Sequence, residues 1–222
     1  MATKTSLFMA GIIPLLVLVG WISYALGSAL PVMEEKEHIC QRDSLERVIY
    51  EYEKKEILTY FNNIQDVDSV LLDDISATIY EFEQDPEPLT RENMAQALID
   101  MNIKYPDMAY NSSIAEGINS GLAKNGNNVF GMKKPMRRRN CALPDRHLGH
   151  ASYKSWIYSI ADYKLFQSCK RESQIGTRQK WVKYLNNNYA VSRKYGTRMN
   201  NTKLPGKIKK IIKNKGKTYE KF

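Results

Sequence analysis

The stretch "IAEGINSGLAKNGNNVFGMKK", residues 114–134, marks the point where a helical region gives way to a turn rich in glycine and asparagine. It contains one carboxylate, Glu116, followed eleven positions later by Asn127-Asn128 and then Val-Phe-Gly. Every other charged residue in it is a lysine. Pro106 suits the first position of a helix that would carry Glu116, and the glycines after Glu116 predict a loop. A short β-hairpin is predicted around "NNVFGMKK", residues 127–134.

The sequence on both sides of this stretch predicts a mainly α protein, because apolar residues recur at helical spacing and no long strand-like alternation occurs. A helix is predicted from Glu34 to about Asn63, and Thr90 is expected to open another. The last residues, "KLPGKIKKIIKNKGKTYEKF", are lysine-rich and predict a frayed basic tail. Three further helices are predicted, over residues 70–83, 153–167 and 178–189.

The N-terminal region predicts a membrane anchor. Residues 5–33 carry no charge, and the predominantly apolar, 20-residue segment 7–26 would reach across a hydrocarbon core of ~30 Å as a helix. Lys4 precedes this segment and three glutamates follow closely, so the rest of the chain is expected outside the cytoplasm. In the alternative, a signal peptide is cleaved near Gly27 or Ala29, and the remainder is secreted.

Charge is divided unevenly along the chain. Residues 34–100 contain 18 acidic and 6 basic residues, whereas residues 101–222 contain 26 basic and 6 acidic residues. The basic part is expected to bind a polyanion, and for an exported domain an anionic wall polymer or membrane surface is favoured over nucleic acid. Three cysteines are too few for a disulfide scaffold, and a Cys141–Cys169 pair stays open.

A second motif lies downstream of the opening stretch. It consists of Tyr153, Ser155, Ser159, Asp162 and Tyr163 in the pattern Tyr-x-Ser-x-x-x-Ser-x-x-Asp-Tyr. Together with Glu116, Ser120 and Asn127-Asn128-Val129-Phe130-Gly131, this pattern makes residues 89–167 resemble the bacterial glucosaminidase family. These are peptidoglycan-cleaving enzymes of the autolysin and flagellar-hydrolase type, glycoside hydrolase family 73 and its relatives.

The resemblance implies a lysozyme-like α domain with a small β-hairpin, in which Glu116 is the general acid. It implies that Tyr163 lines the subsite near the scissile bond, although a core aromatic at helical spacing is an equal alternative. Asn127, Asn128 and Phe130 are assigned to substrate binding, as one lip of the cleft. The two asparagines are expected to shape the turn more than to contact sugar.

The second catalytic group is left open by the sequence. Asp145 and Glu172 are the candidates for a carboxylate that positions water, and the acetamido group of the substrate is a third route. His147 and His150 with Cys141 and Cys169 match no common zinc spacing, so neither a metal nor a cofactor is predicted.

The predicted organisation is a signal-anchor over residues 1–33, an acidic helical linker over 34–88, a glucosaminidase-like domain over 89–200 and a basic tail over 201–222. The predicted function is that of a membrane-anchored endo-N-acetylglucosaminidase, an autolysin or a phage lysis enzyme. It would cut the β-1,4 bond between amino sugars of peptidoglycan. The alternative is a membrane-tethered, non-catalytic wall-binding or structural protein of the same fold, suggested by a segment between Glu116 and Asn127 that is two residues shorter than usual. A basic nucleic-acid-binding module is the weakest interpretation.

Overall fold

The computed structural model describes residues 43–65, 67–133, 135, 137–189 and 192–215. The chain divides into two compact units, Met1–Tyr52 and Glu53–Phe222. In the first unit the described residues, 43–52, are helical, and their large apolar side chains are exposed: Leu45, Val48, Ile49 and Tyr52.

The predicted membrane anchor, residues 5–33, and both predicted cleavage positions lie outside the described residues. Within the part of the chain that is described, none of the helices combines the length and the apolar character needed to cross a bilayer.

The second unit is mainly α-helical and contains one small antiparallel hairpin. Residues 53–58 form its first helical segment, α1. The hairpin is formed by β1 (Arg146–His147) and β2 (His150–Ala151). The other helices are α2 (Ser69–Gln84), α3 (Arg91–Asp100), α4 (Pro106–Glu116), α5 (Gly121–Gly126), α6 (Trp156–Ser168), α7 (Glu172–Ile175), α8 (Arg178–Asn188), α9 (Tyr195–Asn201) and α10 (Gly206–Lys215).

The predicted starts of α3 and α4 are confirmed. The Thr90 hydroxyl accepts a hydrogen bond of 3.1 Å from the Asn93 amide, which satisfies one of the free amides at the start of α3. Pro106 occupies the first turn of α4, where its missing amide costs no hydrogen bond. The helix ends after Glu116 because Gly117 adopts a left-handed conformation with φ of 84°.

The core of this unit surrounds α4 and α6. Helix α4 packs against α3, α9 and α10, while α6 packs against α2 and α3. Six consecutive residues of α4, 108–113, are buried, so this helix has no solvent-facing side over that length. An enclosed helix of this kind holds its last residue, Glu116, in a fixed position where the helix reaches the surface.

Residues before position 89 belong to the same core, although they were predicted to form a linker. Ile57, Phe61, Ile75 and Ile79 are all buried in the hydrophobic core. The compact unit therefore begins well before the predicted start of the domain.

The predicted frayed tail is corrected for Gly206–Lys215, which form helix α10. Ile208 is only 2% exposed, and α10 packs against α3 and α4. The physical reason is amphipathicity: isoleucines recur every three or four positions and give the lysine-rich segment one apolar face to bury.

The loop after Glu116 and the position of the hairpin are also corrected. Residues 121–126 form the short helix α5, which the Ser120 hydroxyl caps by accepting a bond from the Ala123 amide. The hairpin forms at residues 146–151 because Leu148 and Gly149 both have positive φ, 51° and 77°, as a two-residue type I′ turn requires.

Candidate functional site

Glu116 lies half-buried at the C-terminal end of α4, next to the loop that carries the Asn-Asn-Val-Phe-Gly motif. Gly131, the last residue of that motif, has a φ of 61°. A Cβ atom added to Gly131 would lie 2.9 Å from Oε2 of Glu116. The loop therefore passes so close to the carboxylate that a larger residue at position 131 would push Glu116 aside, and the positive φ also favours glycine there.

The two asparagines of the motif hold this loop in place. The Asn128 side chain donates to the carbonyls of Met132 (2.8 Å) and Ala151 (2.9 Å) and accepts from the Met132 amide (3.0 Å). Asn127 adopts a left-handed conformation and donates to the Tyr153 carbonyl at 3.0 Å. The Asn128 side chain bonds the amide and carbonyl of Met132, which the strands of a β-hairpin would otherwise use to pair. This segment therefore forms a closed turn and not the predicted hairpin.

A cavity of about 410 Å³ opens at the Glu116 carboxylate. Among the described residues that line it, Glu116 is the only acid. The others are Phe130, Gly131, Met132, Lys133, Arg138, His150, Phe166 and Tyr189. Aromatic rings beside a single carboxyl group are suited to a sugar, whose faces are apolar and whose linking oxygen needs a proton.

Phe130 and Tyr163 are stacked, with ring centroids 4.3 Å apart and an angle of 16° between the planes. Both are 1% exposed, but Phe130 is among the described residues that line the cavity and Tyr163 is not. Tyr163 therefore supports the wall of the cavity from behind, which matches the alternative prediction of a core aromatic.

Arg138 joins the cavity wall to a buried carboxylate. Its guanidinium donates to both oxygens of Asp162, at 2.7 and 2.8 Å, and lies 5.6 Å from the centre of the Phe166 ring. Asp162 is fully buried and also accepts a 2.6 Å hydrogen bond from the Tyr153 hydroxyl. Burial and the negative charge of Asp162 raise the pKa of Tyr153 well above its ordinary value, so this hydroxyl remains a donor.

Two tyrosines approach Glu116 from the C-terminal part of the unit. The Tyr189 hydroxyl donates to the Phe130 carbonyl at 3.3 Å. The Tyr195 hydroxyl lies near Ser112 and Glu116, yet it makes no hydrogen bond of ordinary geometry with another described residue. Burial and the charge of Glu116 raise the pKa of Tyr195, so it stays protonated and remains a potential donor to Glu116.

The two candidate second carboxylates lie elsewhere. Asp145 is exposed just before β1, and Glu172 is exposed in the first turn of α7. Neither is among the described residues that line the Glu116 cavity.

The cysteines and histidines form no metal site in the described ranges, where no three His, Cys, Asp or Glu side chains cluster closely enough to hold an ion. Cys141 and Cys169 are free, and the buried Cys141 thiol donates to the Tyr158 carbonyl at 2.9 Å. His150 instead lines the Glu116 cavity.

Four residues near Glu116 were not singled out from the sequence: Arg138, Phe166, Tyr189 and Tyr195. His150 was considered only as part of a metal site. All five lie between 22 and 79 positions from Glu116 along the chain, and no spacing rule links them to it. Arg138 pairs with Asp162, which lies 24 positions away, and this contact is not visible from sequence.

The chain matches no protein-family model, no curated protein and no solved structure. The assignment of the site therefore rests on its geometry and on the sequence motifs.

Proposed function

We propose that this protein is a glycoside hydrolase that cleaves the β-1,4 bond between amino sugars of peptidoglycan, with Glu116 as general acid. The observation that carries the proposal is the position of Glu116. It is the only acid among the described residues lining an aromatic cavity, and Gly131 of the Asn-Asn-Val-Phe-Gly motif lies directly against its carboxylate. The mainly α architecture with one small hairpin is consistent with the proposed lysozyme-like fold.

In the proposed reaction the Glu116 carboxyl group gives its proton to the glycosidic oxygen as the bond breaks. Phe166 and Tyr189, which are half-buried, offer apolar surface to the sugar rings. The buried Tyr195 hydroxyl, protonated and without a well-formed bond to another described residue, can donate to Glu116 during the reaction.

As the bond breaks, the anomeric carbon must be attacked by a nucleophile or an activated water. Asp145 and Glu172 are not part of the described lining, so the proposal favours attack by the acetamido oxygen of the substrate sugar in this first step. Water that gives a proton back to the Glu116 carboxylate then breaks the new bond and completes hydrolysis. This route needs no second carboxylate as nucleophile, and it retains the configuration at the anomeric carbon. Proton NMR of freshly formed products would separate it from an inverting mechanism.

The proposed setting is the outer side of a membrane, with the catalytic unit exported behind the predicted N-terminal anchor. Both an autolysin and a phage lysis enzyme would act on peptidoglycan at that location. No metal or cofactor takes part in the proposed reaction.

The test is digestion of purified peptidoglycan by the full-length chain, followed by mass spectrometry of the products. Amino-sugar reducing ends are expected, and Glu116→Gln should lower their rate of release by about 10²–10⁴-fold, since that is what a positioned proton donor contributes. Asp145→Asn and Glu172→Gln are the matched controls and should each keep activity within about twofold of wild type. Undiminished activity in Glu116→Gln contradicts the assignment. Wild-type protein that sediments with cell wall but releases no reducing sugar favours the non-catalytic alternative.

A further inference from the structure

A second concave surface lies between α8 and α9, and it is built from basic and amide side chains. This α8–α9 groove has a volume of about 450 Å³. Its described lining residues include no acid and no aromatic residue. The lining includes two cationic side chains and four side-chain amides: Lys183, Arg193, Gln179, Asn186, Asn187 and Asn200.

The groove has a rigid frame. Asn186 of α8 donates to the Thr197 hydroxyl of α9 at 2.9 Å and accepts from the Thr197 amide at 3.1 Å. Arg178 is held by both oxygens of Asp107 and by Asn200. Gly196 allows the two helices to approach closely, because a Cβ atom there would clash with the Val182 carbonyl.

Other groups in the groove are left open to a ligand. The side chains of Gln179, Lys183, Asn187 and Arg193 make no hydrogen bond or ion pair with another described residue. Lys183 and Arg193 are exposed. The sequence from 173 to 215 contains no Asp or Glu, so acids within that stretch cannot neutralise these charges.

The side chains that line the groove indicate which class of polyanion it can bind. Nucleic acid is disfavoured because single-stranded binders use aromatic rings as stacking platforms, and the described lining offers none. A polymer of phosphate groups needs only cationic side chains for binding, so it would not account for the amide side chains. Side-chain amides donate and accept together, which suits a ligand rich in amide groups, hydroxyl groups and carboxylates.

We propose that the α8–α9 groove binds a peptidoglycan strand at a point away from the bond being cut. Lys183 and Arg193 pair with carboxylates of the stem peptides, and Gln179 and Asn187 bond with their amide groups. The identity of the strand rests on the proposed function of the Glu116 cavity. Helix α9 links the two sites: Tyr195 lies near Glu116, and Asn200 lines the groove about 7.5 Å further along the helix axis.

The test is cosedimentation of the full-length chain, in detergent, with insoluble peptidoglycan stripped of its covalently attached phosphate polymers. All proteins carry Glu116→Gln, so that binding is read without hydrolysis. The double variant Lys183→Gln/Arg193→Gln should bind about tenfold more weakly, the loss expected from two charge-assisted bonds. Lys209→Gln/Lys210→Gln on α10 removes the same charge from two exposed lysines and should bind as the parent does.

A second variant, Gln179→Ala/Asn187→Ala, keeps the charge of the groove and should also bind more weakly, by about threefold to tenfold. Equal losses in the Lys183→Gln/Arg193→Gln and Lys209→Gln/Lys210→Gln variants would overturn the proposal, because binding would then follow net charge alone. Binding only to wall that retains its phosphate polymers would overturn it as well. Wild-type protein that binds stripped peptidoglycan through the groove but cleaves none contradicts the proposed hydrolysis and leaves the groove in place.

Discussion

The Glu116 cavity and a second cavity are almost equal in size, about 410 and 400 Å³, but the carboxylates that line them have different partners. The second, the Glu83 cavity, contains three acids: Glu53, Glu56 and Glu83. Its Glu83 is bound by Lys154 at 2.8 Å and accepts a 3.3 Å bond from the Tyr158 hydroxyl. Glu116 forms no ion pair with any described residue and faces a cavity lined by aromatic rings.

The difference teaches that the number of acids is a poor guide to a functional site. A carboxylate that the protein already supplies with a cation and a hydroxyl is part of the scaffold. A carboxylate that the fold holds rigidly but leaves without such partners is available to a ligand. Variants at three pairs of positions test this contrast and the geometry around Glu116.

The largest effect is expected at the two ion pairs. Arg138→Met leaves the fully buried Asp162 without its cation and should destabilise the fold by about 3–5 kcal/mol. Lys154→Met breaks the half-exposed pair with Glu83 and should cost at most about 1 kcal/mol. Urea unfolding followed by circular dichroism measures both. Similar losses of unfolding free energy in the two variants would show that burial does not make the Arg138–Asp162 pair more important than the Lys154–Glu83 pair.

The next effect concerns the contact between Gly131 and Glu116. Gly131→Ala places a methyl group 2.9 Å from Oε2 of Glu116 and puts alanine at a φ of 61°. Activity on peptidoglycan should fall by about 10–100-fold, because a strained loop or a displaced carboxylate costs roughly 1–3 kcal/mol.

Gly121→Ala is the matched control, since nothing lies within 4 Å of its added Cβ. It should keep full activity and gain a little stability from reduced freedom of the unfolded chain. Full activity in Gly131→Ala would mean that the position of Glu116 does not depend on this contact.

The smallest effect is expected from removal of one hydroxyl at each cavity. Tyr195→Phe should lower activity by about tenfold, the value of one hydrogen bond of ~1.4 kcal/mol in the transition state, while stability stays unchanged. Stability is preserved because this buried hydroxyl has no well-formed partner among the described residues.

Tyr158→Phe should show the reverse behaviour. It loses the hydrogen bond to Glu83 and about 1 kcal/mol of stability, and it keeps activity. Hydrolysis rates and unfolding midpoints, measured on both variants, show whether each hydroxyl contributes to activity or to stability. A Tyr195→Phe enzyme with unchanged rates would remove Tyr195 from the proposed reaction.

The helices were predictable because their signals are local. Thr90 and Pro106 mark starts that depend on a few neighbouring backbone amides, and Gly117 marks an end that depends on its own φ. The position of Glu116 at the end of α4 followed from these signals alone. The helix α10 was missed because a lysine-rich segment is helical here only through the apolar face it buries.

The surroundings of Glu116 were predictable only in part. Phe130 was named and lines the cavity, whereas Tyr163 supports it from behind. Asn128 braces the loop through contacts with Met132 and Ala151, the second of which lies 23 positions away. Sequence reasoning could identify the asparagine as a turn residue, but the choice of distant backbone partners depends on how the elements pack.

The sequence by itself determined a mainly α chain, a strong division of charge and a lone acid at a helix end before a glycine-rich turn. Local backbone preferences and side-chain periodicity are sufficient for those features. Tertiary structure decided that Gly131 lies against that acid, that Arg138 pairs with buried Asp162, and that Tyr195 reaches Glu116 across 79 positions. Those contacts join segments far apart in the chain, and only the packing of α4, α6 and α9 into one unit brings them within reach of each other.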